Sequence, residues 1–151
     1  AAMRAAVDLM RSELDAQDVR LVLSLADGLP LVLASQVDIQ QVVMNLVMNA
    51  ARAVKGLPED DRTVSIQTLR IDRHIRFSVE DSGTGVQKDV VENMFEPFFT
   101  TKSVGIGMGM AICRRLVDAH GGRIWVENRD KGGARFTVEL PLTEALQTSD
   151  D

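Results

Sequence analysis

Apolar positions change their spacing several times along the chain, and each change predicts an element. Val7, Met10 and Leu14 recur at helical spacing and predict a helix over 3–16; Val19 to Leu25 alternates as a strand, and "ADGLP" then turns the chain. From Gln36 to Val54 the positions Ile39, Val42, Val43, Leu46, Ala50 and Ala53 fall within about 100° of a helical wheel, the width of a core-facing stripe. "KGLPEDD" closes that helix with Gly and Pro. Two strands follow over 62–70 and 73–80, joined by a tight "IDR" turn. A short helix is expected over 87–94, a loop with special backbone angles over 95–108, and a helix over 109–119 that ends at "HGG", where Gly121 suits a left-handed cap. The last two strands, Arg123 to Asn128 and Ala134 to Leu140, flank "RDKGG" as a hairpin. Three main helices and about five half-alternating strands predict a two-layer α+β sandwich, one sheet face against helices and the other against water.

Composition narrows the function classes. At 151 residues and 45% hydrophobic, the chain suits one domain able to bury a core without staples. Its net charge is −5 and no Lys/Arg stripe forms, which argues against a nucleic-acid or anionic-membrane surface. No apolar run approaches the ~18 residues of a spanning helix and no signal-peptide pattern opens the chain, so a soluble domain is expected. One cysteine, Cys113, excludes an internal disulfide and a thiolate metal cage; a reducing, cytoplasmic setting and a buried structural role follow. His74 alternates outward and His120 precedes a helix-ending glycine pair, so both read as structural or solvated.

Three stretches carry candidate chemistry. On the 36–54 helix, Gln41, Asn45, Asn49 and Arg52 form a polar seam beside the apolar stripe. That seam is either a solvated flank or a ligand wall, in which Asn49 offers a neutral oxygen to a Mg²⁺ otherwise held by phosphates and water. In "EDSGTGV", Asp81 follows Ile75, Phe77 and Val79 at period two, so a carboxylate lies on the apolar face. Asp-Ser-Gly is also a common turn. A buried acid, however, needs donors such as the exocyclic amine of a purine, and Gly83 and Gly85 permit close approach to the backbone. "GIGMGM" opens a helix with glycines at alternate positions; the spacing and the preceding "FFTTKSV" do not fit a dinucleotide fingerprint, but free N–H groups at a helix start suit phosphate oxygens, with Lys102 nearby.

Taken in order, "QQVVMNLVMNAARAV", "DSGTGV", "FEPFFTTK", "GIGMGMAICRRLVDAHGG" and "GGARFTVELP" resemble the N, G1, F, G2 and final glycine boxes of the ATP-binding domain of sensor histidine kinases. The compact segment between "FFTTK" and "GIGMGM" is similar to the lid of nitrogen-fixation oxygen sensors and nitrogen-regulatory sensor kinases. The resemblance spans 36–141 and implies the Bergerat (GHKL) fold, with the domain over 1–142 and a fraying tail over 143–151.

It also implies roles. Asp81 would accept from the adenine amino group, with Gly83 and Gly85 letting the base sit against the chain. Asn49 would hold Mg²⁺; Asn45 and Arg52 would lie along the phosphates of ATP; Lys102, Gly105, Gly107 and Gly109 would form the lid, hinged by Phe95, Phe98 and Phe99. Met108 and Met110 stand where leucines are usual, and "LASQVD" lacks a frequent acidic residue. Gyrase-, mismatch-repair- and chaperone-type relatives carry a water-activating glutamate four residues before the Mg²⁺-binding asparagine. Here that position is Asn45, which disfavours hydrolysis as the main task. Neither "RHI" nor "AHGG" resembles a phosphoacceptor motif, so the acceptor is expected on upstream dimerisation helices. The fragment should bind ATP without phosphorylating itself and serve a downstream response regulator. A nucleotide-sensing pseudokinase and an anti-sigma-type serine kinase are the alternatives.

Overall fold

The computed structural model of the chain describes residues 2–24, 36–87 and 109–141. Its elements in chain order are α1 (Ala2–Ala16), β1 (Arg20–Ser24), α2 (Gln36–Val54), a 3₁₀ turn (Glu59–Asp61), β2 (Thr63–Ile71), β3 (His74–Asp81), α3 (Gly109–Ala119), β4 (Arg123–Asn128) and β5 (Ala134–Pro141). The expected "ADGLP" turn, the expected helix over 87–94 beyond its first residue, the whole loop over 95–108 and the tail after Pro141 lie outside the described residues.

The five strands form one mixed sheet in the order β1-β2-β3-β5-β4. β1 runs parallel to β2, with Val22 opposite Ser65; the other pairs are antiparallel. A parallel neighbour cannot be reached by a hairpin, and α2 lies in the crossover between β1 and β2. The β2–β3 turn sits one residue later than its sequence pattern suggested: Ile71 pairs with His74, leaving Asp72 and Arg73 as the loop. Asp72 takes φ +54° at the first loop position, a conformation that the usual Gly of such hairpins adopts more easily. The later register keeps Asp81 inside the ladder, opposite Val64.

Val64 and Ile66 of β2, Phe77 and Val79 of β3, Phe136 and Val138 of β5 and Val126 of β4 form the inner face, all buried against the helices. Each such Val, Ile or Phe contributes about 1.5–3 kcal/mol relative to an exposed one. α2 buries Val42, Val43, Leu46, Val47, Ala50, Ala51 and Val54, roughly half its circumference rather than a narrow stripe. It lies between α1, α3 and the sheet, so three neighbours cover it. Ala53, which the wheel assigned to the core, is exposed at the helix's end.

Two helix ends show why the chain turns where it does. α3 ends as expected: Gly121, at φ +73°, donates to Asp118 O at 3.0 Å while Gly122 donates to Val117 O at 3.0 Å. α1 ends in the same way without glycine; Val19 donates to Leu14 O at 3.0 Å, Asp18 donates to Asp15 O at 3.1 Å, and Asp18 carries φ +57°. Asp18 is exposed. Replacing it with Gly should relieve left-handed strain and raise stability by up to about 1 kcal/mol, read as a shifted denaturant midpoint. An unchanged or lower midpoint would show that Asp18 sits there at no cost.

The outer face is wetter than the inner one but not bare. The guanidiniums of Arg76 and Arg123 each lie over the Trp125 ring, 5.5 and 4.9 Å from its centroid, and Arg76 pairs with Glu139 at 2.6 Å. These long side chains cover Ser78 and Thr137, which are buried although they point away from the helices. At the other end of this face Glu80 binds Arg135 at 2.7 Å and Arg129 at 3.2 Å.

Candidate functional site

Asp81 is the last residue of β3 and is 2% exposed. Parity requires it to face inward, since Ile75, Phe77 and Val79 do. Its Oδ1 accepts the N–H of Gly83 at 2.9 Å and that of Ala134 at 3.3 Å. Burial pushes its carboxyl above the ordinary carboxylate range, and those two N–H bonds and the positive field of Arg129 oppose the shift. Oδ2 accepts no hydrogen bond among the described residues. The buried acid therefore keeps one oxygen for an external donor.

The loop after Asp81 is tied down residue by residue, each time to a different element. Ser82 extends the β2–β3 ladder: its N–H donates to Thr63 O at 3.1 Å, and its Oγ accepts from Thr63 N–H at 2.9 Å. Gly83 passes so close to the end of α2 that a Cβ would lie 2.8 Å from Ala53 O. Gly85, at φ +90°, leaves room for the Asn128 side chain, which bonds both backbone groups of Val86. From the other side, Arg129 Nη1 donates to Asp81 O at 2.7 Å. The sequence assigned both glycines to a bound base; the structure shows that protein atoms already crowd the places their Cβ atoms would take.

The close passage of Gly83 over Ala53 joins this loop to the polar seam of α2. Asn49 is buried, and its amide has no hydrogen-bond partner among the described residues. Arg52 Nε is fully buried with no partner among them either, and burial holds the guanidinium below its usual pKa. Asn45 is engaged: its Oδ1 accepts from Gln41 Nε2 at 3.1 Å, and its amide hydrogen-bonds the Cys113 thiol across to α3. Burial pushes that thiol up to about 12, against the opposing pull of Asn45, so Cys113 packs and does not react. His120 bonds Asp38 at 3.1 Å, stapling the end of α3 to the start of α2 beside an apolar dimple; this structural role matches the reading of the sequence.

An orphaned guanidinium nitrogen and an unpartnered amide on one helix, and an acid with a free oxygen at the adjoining end of β3, fit a ligand with phosphates at one end and a donor-bearing base at the other. Among the described residues no group of three His, Cys, Asp or Glu is placed to hold a metal, so a cation beside Asn49 would take its remaining ligands from phosphate and water.

Comparison with known proteins agrees. Residues 34–144 match the model of the "Histidine kinase-, DNA gyrase B-, and HSP90-like ATPase" family. The chain belongs to this ATPase family. It is 44% identical over 128 residues to the sensor protein FixL of Bradyrhizobium diazoefficiens, an alignment covering 85% of this chain and 25% of that protein. The chain thus spans about a quarter of the length of that relative. The catalytic domain of the histidine kinase ThkA, solved nucleotide-free, superposes with a TM-score of 0.83 at 33% identity, covering 95% of this chain and 92% of that one. ThkA has also been solved in complex with the response regulator protein TrrA, in a chain of which 40% matches, with a TM-score of 0.76 at 30% identity over 95% of this chain. Full-length ShkA in complex with AMPPNP matches with a TM-score of 0.78 at 31% identity, over 93% of this chain and 29% of that one. The ThkA superposition carries the expected α+β sandwich with its mixed five-stranded sheet and three helices.

Of the ATPase-family positions expected from sequence, Asp81, Gly83 and Gly85 share one strand end and loop, which meets α2 where Gly83 passes Ala53, the residue after Arg52; Asn49 and Asn45 lie further back on the same helix. Gly109 opens α3, and Met110 is buried in the core. Phe95, Phe98, Phe99, Lys102, Gly105, Gly107 and Met108 lie outside the described residues. Sequence reasoning missed Asn128, Arg129 and the close approach at Gly133. For Asn128 a signal existed: it follows Ile124 and Val126 at period two, a polar residue ending an apolar row, as Asp81 does. No helix among the described residues is long and apolar enough to cross a membrane.

Proposed function

We propose that this chain is the ATP-binding catalytic domain of a two-component sensor histidine kinase, and that it donates the γ-phosphoryl group of Mg-ATP to a histidine on dimerisation helices outside the chain. The observation that carries the adenine end is Asp81: a buried acid with both protein N–H donors on Oδ1 and none on Oδ2 among the described residues. Oδ2 takes the exocyclic amine of the purine. At the other end Arg52 pairs its buried Nε with phosphate oxygen, which replaces an unsatisfied donor by a charge-assisted bond. Asn49 is the residue that would hold Mg²⁺, which supplies charge neutralisation at the transferred phosphate.

The chain's own share of the reaction is positioning. Asp81 fixes the base, Asn49 and Arg52 fix the polyphosphate, and the nucleophile comes from the partner helix. Lys102, Gly105, Gly107 and Gly109 are assigned to the lid, and the phenylalanines 95, 98 and 99 to its hinge, on the strength of their place in the family's boxes. Asn45 occupies the position where hydrolytic relatives place a glutamate. A neutral amide bonded to Gln41 and Cys113 cannot take a proton from water, which favours transfer over hydrolysis. Once phosphorylated, the histidine would serve a response regulator, as the ThkA–TrrA complex suggests by analogy.

A phosphotransfer assay tests the reading, with labelled ATP, this chain and a separate dimerisation domain. Acid-labile label on the dimerisation domain's histidine is the expected result. Nucleotide occupancy without label would favour a nucleotide-sensing module, and acid-stable label would favour a serine kinase.

A further inference from the structure

Asn128 ends β4 in the inward row of Ile124 and Val126, yet it is exposed. Its side chain does what a neighbouring strand would do. Oδ1 accepts the Val86 N–H at 2.7 Å while Nδ2 donates to the Val86 carbonyl at 2.9 Å. Among the described residues, no other hydrogen bond holds residues 84–87. Gly85 is shaped to this contact: at φ +90° it carries no Cβ, and one built there would lie 2.8 Å from Asn128 Oδ1. The second glycine of "DSGTG" and the amide of Asn128 are thus two halves of one clamp, joining the loop after Asp81 to the β4–β5 hairpin.

We infer that Asn128 is a positioning residue for the nucleotide site, holding Gly83–Val86 in the one pose in which the loop meets the base. The inference rests on the nucleotide reading of Asp81 given above. The physical case is one of order rather than strength. Both Val86 groups lie near solvent, so water can replace the clamp and the fold as a whole loses little. What is lost is the single loop pose; binding must then order the loop, and the apparent affinity falls by the fraction of molecules that hold it.

The test uses the 151-residue chain with Asn128→Ala and Asn128→Asp, titrated with ADP and with ATP in the presence of Mg²⁺. Melting without nucleotide and hydrogen exchange at the Val86 amide are followed in parallel. Asn128→Ala should weaken both nucleotides by about 5- to 30-fold, the range of one or two lost hydrogen bonds. The factor should be the same for both, because the loop lies at the base end. Asn128→Asp, of equal size, accepts from the Val86 N–H but cannot donate to its carbonyl, and should be no better than Ala; this separates hydrogen bonding from bulk. The melting temperature should move by no more than about 2 °C in either variant, while the Val86 amide exchanges faster in Asn128→Ala, which removes its acceptor. Undiminished affinity in both variants beside a wild type that binds would remove Asn128 from the site and leave the nucleotide reading standing. Affinity falling only in step with a large drop in melting would show a merely structural role. A wild type that binds neither nucleotide would sink the functional reading itself, and this inference with it.

Discussion

Asp81→Asn is expected to weaken ATP by about 1.5–3 kcal/mol, roughly 10- to 150-fold, the scale of a hydrogen bond to a charged group. The amide keeps an oxygen for the N–H groups of Gly83 and Ala134, so the loop stays in place. What changes is the free position. Nδ2 replaces Oδ2, and a donor then faces the donor of the purine. The nucleotide-free variant should melt no lower than the wild type near neutral pH, because burial already holds the Asp81 carboxyl above its ordinary range and its charge is a cost to the fold.

The sign of the pH dependence follows from that shift. The folded-state value is raised, so the folded chain binds the proton more tightly than the unfolded chain does. Stability attributable to Asp81 is therefore fully present below its unfolded value, near 3.8, and is lost as pH rises through the raised folded value. The Asn variant carries no such titration. Its melting advantage over the wild type should shrink as pH falls from neutral into the carboxylate range. An advantage that does not change with pH, or ATP titrations that coincide, would take the free acid out of the adenine site.

Gly133→Ala should destabilise the fold by about 3 kcal/mol or more, the range reserved for steric and backbone conflict in a packed place. In a chain of this size that corresponds to a melting drop of roughly 6–12 °C. Gly133 holds φ +88°, and a Cβ built on it falls inside the van der Waals surface of the Asp81 carbonyl oxygen, with Oδ1 of the same residue 3.1 Å away. To make room, β5 must withdraw from β3 at Ala134, whose N–H is one of the two donors that hold Asp81. Nucleotide affinity should therefore fall along with stability. Gly132→Ala isolates the backbone part: φ there is +98°, but the nearest atom to a Cβ, Gly83 O, is 4.0 Å away. That variant should lose only about 1 kcal/mol. Equal melting of the two alanine variants would mean that the close approach at Gly133 contributes nothing.

Some of this site could be read without coordinates. Strand parity alone aims Asp81 inward after Ile75, Phe77 and Val79, and a one-residue error in the turn between β2 and β3 leaves that parity intact. Helical spacing likewise places Asn49 and Arg52 beside the apolar stripe of α2. The stripe itself came out too narrow. A wheel weighs each residue against one buried face, whereas α2 has three neighbours, so Val47, Ala51 and Val54 are buried as well and Ala53 is not. The glycines of "DSGTG" showed that something comes close to the backbone, but not that Ala53 O and the Asn128 amide are what come close.

The sequence by itself determined much of what depends on spacing along one element: the order of the described helices and strands, the inward acid, the polar seam, the glycine cap of α3, and the ordered boxes through which the chain resembles its family. Periods of two and 3.6 are properties of a local backbone, so local residues suffice to reveal them. Only the tertiary structure decided which groups meet across elements. Oδ1 of Asp81 is filled from β5, its carbonyl from Arg129, and Val86 from Asn128, across separations of more than forty residues. No spacing rule reaches that far, because each of these contacts is set by the register of the sheet, and the register is fixed only when the whole inner face packs against the helices.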